Sequence, residues 1–90
     1  MKDAYLEVTY RHGRAVAAYL YLPRQPGDVS HSTRRLPHGL LLDCAADGRP
    51  IGIEITAPEL VSLANLNAAL AEAGLAGLTA ADLAPLVRAA

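Results

Sequence analysis

Leu40-Leu41-Leu42-Asp43-Cys44-Ala45-Ala46-Asp47-Gly48-Arg49-Pro50-Ile51-Gly52-Ile53-Glu54-Ile55 is the stretch that decides the fold. Asp-Gly between two apolar runs signals a hairpin, because both central residues of the favoured turn need positive φ. With Asp47-Gly48 as a two-residue loop, Ala46 faces Arg49, Cys44 faces Ile51, Leu42 faces Ile53 and Leu40 faces Ile55. These side chains share one face, and Leu41, Asp43, Gly52 and Glu54 share the other. A four-residue loop keeps the same parity. A three-residue loop sets Leu42 opposite Gly52 and is disfavoured, since a one-residue slip flips a strand's faces. Pro50 lacks a backbone donor and belongs at the start of its strand. Ile53 is then expected in the core and Glu54 in solvent.

Working outward, residues 4–10 alternate, with Leu6, Val8 and Tyr10 against Tyr5, Glu7 and Thr9. Residues 15–22 alternate too, with Val16, Ala18, Leu20 and Leu22 against Ala15, Ala17, Tyr19 and Tyr21. Period two marks half-buried strands. Matching the apolar faces calls for an odd loop, so Arg11-His12-Gly13 is read as three residues, pairing Tyr10 with Arg14 and Val8 with Val16. Gly13 would take the left-handed position. Residues 23–38 are broken by Pro23, Pro26-Gly27 and Pro37, with room for a short edge strand around Ser32–Leu36.

The last third is helical in pattern. Thr56-Ala57-Pro58-Glu59 reads as a capping box, followed by a rough stripe of Leu60, Leu63 and Leu70. Asn65 and Asn67 divide this into a short helix and a second one ending near Gly74. Thr79-Ala80-Ala81-Asp82 opens a final helix, with Leu83, Leu86 and Val87 at helical spacing and Pro85 inside. The expectation is one α+β domain over residues 1–90: a four-stranded antiparallel meander in 4–56, and two or three short helices in 57–90 covering one sheet face.

Asp43-x-x-x-Asp47-Gly48-Arg49-x-Ile51-Gly52-Ile53-Glu54-Ile55 resembles the hairpin of a family of small bacterial proteins, domain of unknown function 2283. Ala17-Ala18-Tyr19-Leu20-Tyr21-Leu22 matches in type the family's alanine-leucine-tyrosine-isoleucine motif on an earlier strand. The resemblance spans residues 5–58 or so. Two positions depart from it: Ala45 stands where the family often has an acid, and Arg11-His12-Gly13-Arg14 where its first turn is usually acidic. The resemblance implies a fold and no catalytic residues. It also implies a small accessory protein, in some relatives an antitoxin-like partner of a neighbouring gene product.

Composition narrows the classes. Hydrophobic residues make up 52% of the chain, which excludes a disordered segment, and the absence of Phe and Trp leaves an aliphatic core. One cysteine excludes an intramolecular disulfide and a multi-cysteine zinc site, and a lone thiol fits a reducing cytoplasm. No apolar signal region opens the chain, and no run is long enough to cross a membrane. No pattern calls for a cofactor.

Charge is uneven. Arg11, Arg14, Arg24, Arg34 and Arg35 lie within residues 11–38 against Asp28 alone, a local +4 in a chain of net −1, and all three histidines fall there. These arginines are the candidate patch for an anionic partner such as a nucleic acid. The residues from 79 on offer only Arg88 as a base, too little for a DNA recognition helix. Cys44 is read as an inert core thiol. Asp43 and Glu54, diagonal on one face at roughly 7–8 Å or less, lack a third ligand for a metal. Asp28 and Ser30-His31-Ser32 share one loop, which suits no rigid triad. A small enzyme or metal-binding protein therefore ranks third. Tyr5, Tyr19, Tyr21 and Leu41 fall on the face away from the aliphatic core and form the candidate interface of a homodimer. The leading expectation is a non-enzymatic interaction protein, homodimeric, with a further protein partner.

Overall fold

The computed structural model describes residues 4–89, with side chains as far as Leu86. Five strands come first: β1 (Tyr5–Arg11), β2 (Arg14–Tyr21), β3 (Ser32–Leu36), β4 (Leu40–Cys44) and β5 (Pro50–Ile55). Two helices follow, α1 (Leu63–Glu72) and α2 (Ala80–Ala89). The strands form one antiparallel sheet in the order β1-β2-β5-β4-β3. The α+β class holds, while the four-stranded meander is corrected. Ser32–Leu36 forms a fifth strand, and β5 returns to lie beside β2.

Burial explains the order. Ile51, Gly52, Ile53 and Ile55 are all buried, so β5 needs neighbours on both sides and takes the centre. Ser32, Thr33, Arg34 and Arg35 are exposed, and β3 takes an edge. The register then aligns residues across all five strands. Leu6, Leu20, Ile53, Leu42 and Arg34 form one cross-strand row, and Val8, Ala18, Ile55, Leu40 and Leu36 another. Most of these join Leu66, Leu70, Leu83 and Leu86 in a single aliphatic cluster, so the helices cover this face.

Both β-turns beside the central pair differ from expectation by one residue, and in both a bulge restores the facing pattern. In the β1–β2 hairpin the loop is His12-Gly13, with φ of 52° and 76°, and Arg11 pairs with Arg14. Two positive φ values match the twist of the flanking strands better than a longer loop. The parity error is absorbed at Val16, which is skipped between Ala15 and Ala17 and left 43% exposed. Val8 therefore faces Ala18, and Ala15 turns into the core in place of Val16.

In the β4–β5 hairpin the loop has the three residues judged unfavourable from the sequence. The Gly48 N–H donates to the Ala45 carbonyl at 2.9 Å, and the Ala45 N–H donates to the Arg49 carbonyl at 2.9 Å. Gly48, at φ 90°, closes the turn. Cys44 faces Pro50 in place of Ile51, and Ile51 is the skipped residue. Leu42–Ile53 and Leu40–Ile55 pair as expected, with Ile53 buried and Glu54 exposed. Cys44 is half-buried at the margin of the core, less enclosed than the sequence implied.

The first helix starts later than the sequence suggests. Thr56 caps nothing, because its N–H and its hydroxyl both donate to the Gly39 carbonyl, at 3.0 and 2.7 Å. Only a 3₁₀ turn, Pro58–Leu60, follows, and Leu60 is 57% exposed. α1 begins after Ser62, whose hydroxyl accepts from the Asn65 N–H at 3.0 Å. It buries Leu66, Ala69 and Leu70, a stripe the Leu60/Leu63/Leu70 pattern had only partly caught. It ends in a Schellman motif: Leu75 N–H donates to Leu70 and Gly74 N–H to Ala71, with Gly74 at φ 77°. The expected break at Asn65 and Asn67 does not occur. The Asn67 amide instead clamps Leu78, donating to its carbonyl at 3.0 Å and accepting from its N–H at 2.7 Å. Thr79 and Asp82 form the capping box of α2. Val87 and Arg88 lie beyond the described side chains. Among the described residues no helix is long and apolar enough to cross a membrane.

Candidate functional site

The uncovered face carries two cross-strand rows. One runs Tyr5, Tyr21, Gly52, Asp43, Thr33, and the other Glu7, Tyr19, Glu54, Leu41, Arg35. The side-chain alternation of a strand places both opposite the aliphatic core. Tyr5, Tyr19, Tyr21 and Leu41 do share this face, as the sequence required.

They do not form one bare apolar patch. Tyr5 and Tyr21 stack with ring centroids 4.4 Å apart at 14°, and Tyr21 meets Tyr19 at 4.7 Å and 53°. The Arg24 guanidinium sits 5.2 Å from the Tyr21 centroid. It is held by its Nε, which donates to the Ile51 carbonyl at 3.1 Å. The bulge at Ile51 aims that carbonyl, which also accepts from the Leu22 N–H at 3.2 Å.

Tyr19 is tied down further. Its ring lies across Gly52, where a Cβ would overlap Oη, Cε1 and Cζ of the tyrosine. Its hydroxyl donates to Asp43 Oδ2 at 2.6 Å, while the Thr33 hydroxyl donates to Asp43 Oδ1 at 2.7 Å. A polar chain thus crosses β2, β5, β4 and β3. Burial, reinforced by the hydrogen bond and charge of Asp43, holds the Tyr19 hydroxyl well above the ordinary tyrosine pKa. Both oxygens of Asp43 thus accept a hydrogen bond, and the residue stands diagonal to the exposed Glu54. Among the described residues no group of three or more His, Cys, Asp or Glu is placed to hold a metal ion.

The five arginines of the candidate patch are dispersed. Arg11 and Arg14 face each other at the His12-Gly13 turn, in a shallow depression with Thr56 and Glu59. Arg24 lies beyond the other end of β2, whose eight residues span about 26 Å. Arg34 and Arg35 are on β3, opposite Leu42 and Leu41, and so on opposite faces. Arg35 nevertheless approaches the Arg11 end, since it shares a second depression with Thr56. Within the described residues, Arg11, Arg14, Arg34 and Arg35 have no carboxylate within ion-pair distance.

Arg49, which the sequence left out of the charge argument, makes two ion pairs. Its guanidinium forks onto Asp28 at 3.0 and 2.8 Å and its Nε reaches Asp47 at 2.7 Å. These bonds lower the pKa of both carboxyls. The loop between β2 and β3 is thereby pinned to the β4–β5 turn. A carboxylate remote in sequence is a partner that only the fold can supply. No family model, no curated protein and no solved structure matches this chain.

Proposed function

We propose that this chain is a small non-enzymatic interaction protein that works as a homodimer. The observation behind this is the unequal cover of the two sheet faces. Helices bury one; the other bears Tyr5 at 60% exposure, with Tyr19, Tyr21 and Leu41 half-buried beside it. A ninety-residue domain buries a modest share of its surface, and association is a common supplement. The resemblance of the Asp43–Ile55 hairpin to a family of small bacterial accessory proteins points the same way. In this reading the chain is an accessory, antitoxin-like partner of a neighbouring gene product, which the assembled dimer would recruit. Light scattering at micromolar concentration tests the proposal: a dimer mass is expected, and a monomer mass throughout that range overturns it.

A second reading takes a nucleic acid as partner, and Arg11, Arg14 and Arg35, which meet no carboxylate at ion-pair distance among the described residues, favour it. Arg24 is already committed to Tyr21 and Ile51 and contributes least. Anisotropy of a labelled duplex at two salt concentrations separates the readings. Phosphate contacts weaken by roughly 0.9 log units each per decade of salt, and absence of binding at low salt removes this alternative.

A further inference from the structure

The two edges of the sheet are unlike. β3 has five residues, is followed by Pro37, and carries Arg34 on the helix-covered side, where an added strand would bury its charge. Short length, proline and inward charge are how proteins blunt an edge. β1 has seven residues, Tyr5–Arg11, with neither proline nor lysine, and among the described residues it is paired on its β2 side alone. Leu6 and Val8 point to the core yet are only partly buried, and Tyr5 and Tyr10 are 60% and 52% exposed. The charges of β1, Glu7 and Arg11, alternate onto the open tyrosine face, so a further strand would not carry them into the core.

We propose that β1 pairs antiparallel with β1 of a second copy, about a two-fold axis at Val8. This rests on the homodimer reading above and gives it a specific interface. The occupant follows from the self-complementarity of the strand. Reversed on itself about Val8, Leu6 meets Tyr10, Val8 meets Val8, Glu7 meets Thr9 and Tyr5 meets Arg11. Apolar residues oppose apolar ones on the helix side. On the tyrosine side Tyr5 meets a cation, the kind of contact Arg24 already makes with Tyr21. No like charges oppose each other. An axis at Thr9 would leave Tyr5 and Leu6 opposite the turn. The axis stands perpendicular to the sheet, so both helical layers lie on one side and the tyrosine faces become continuous on the other.

Thr9 is exposed and opposes Glu7 of the second copy, which gives a test of sign. Sedimentation equilibrium on the full chain compares wild type with Thr9→Glu and Thr9→Lys, with circular dichroism confirming that both fold. Each substitution acts twice across the axis, and a cross-strand charge pair changes the dissociation constant by roughly two- to thirtyfold in total. Thr9→Glu should weaken the dimer by that factor and Thr9→Lys should tighten it. Hydrogen exchange should slow along β1 as concentration rises through the dissociation constant. A dimer that both variants leave unchanged, with β1 exchange independent of concentration, overturns β1 pairing while the homodimer stands. A monomer at every concentration overturns both. Protection of β1 that appears only with a different protein overturns the second copy as occupant and assigns the edge to a foreign strand.

Discussion

Tyr19 and Gly52 are a matched pair: the ring occupies the space over the glycine that any side chain would fill, and from there its hydroxyl reaches Asp43 two strands away. A strand glycine ordinarily weakens a sheet. Here the aromatic ring of the neighbouring strand covers it, and the backbone of the central strand is shielded on the open face.

Gly52→Ala should therefore destabilise the fold by about 2 kcal/mol, because the ring must lift and its bond to Asp43 is lost. In a Tyr19→Ala background the same change should cost little or be neutral. A urea-denaturation cycle over the four variants measures the coupling. Equal effects of Gly52→Ala with and without Tyr19 would contradict the seating of the ring.

The raised pKa of Tyr19 predicts an alkaline limit to stability. In the unfolded chain the phenol ionises near its ordinary value of about 10. In the folded chain burial and Asp43 keep the proton on. Between those two values the folded state binds more protons, so stability falls as pH rises above about 10. Tyr19→Phe should flatten this part of the pH–stability curve while costing about 1–2 kcal/mol at neutral pH through the lost hydrogen bond. An unchanged alkaline slope in the variant would assign the effect to another group.

Asp28 and Asp47 predict the opposite limb. Arg49 lowers both carboxyl pKa values, so their contribution is present above the ordinary carboxylate pKa of about 4 and is lost as pH falls through the folded values. Arg49→Gln should lower the denaturation midpoint at neutral pH, and the gap to wild type should close in acid. A gap that persists once the pH has fallen below the lowered folded values of both carboxyls would show that packing of the Arg49 stem and not the ion pair is responsible.

Asn67 should matter out of proportion to its place on a helix surface. Its amide satisfies both backbone groups of Leu78, just before the cap of α2. Asn67→Ala should cost about 2–3 kcal/mol, since two partly buried backbone groups lose their partners. Asn67→Asp keeps the acceptor and loses the donor, and should fall between. Thermal denaturation of the two variants ranks them, and an Asp variant worse than Ala would indicate repulsion by the Leu78 carbonyl.

Alternation alone determined β1, β2, β4 and β5, the shared face of Leu40, Leu42, Ile53 and Ile55, and the gathering of Tyr5, Tyr19, Tyr21 and Leu41 on the other side, but not β3. Period and burial are local properties, and a side chain's face follows from its position in the strand. The end of α1 at Gly74 and the Thr79–Asp82 cap were legible for the same reason. Loop lengths were not: His12-Gly13 and Ala46-Asp47-Gly48 each differ by a residue from the parity argument, because Val16 and Ile51 absorb the mismatch as bulges. A bulge carries no sequence signal strong enough to outweigh the alternation it repairs. Thr56 looked like a cap until the Gly39 carbonyl, seventeen residues away, claimed its hydroxyl. Strand order, the Tyr19–Gly52–Asp43 crossing and the Arg49–Asp28 fork were likewise decided by tertiary structure. Each depends on which strands become neighbours, and that is settled by how the whole chain buries β5 between β2 and β4.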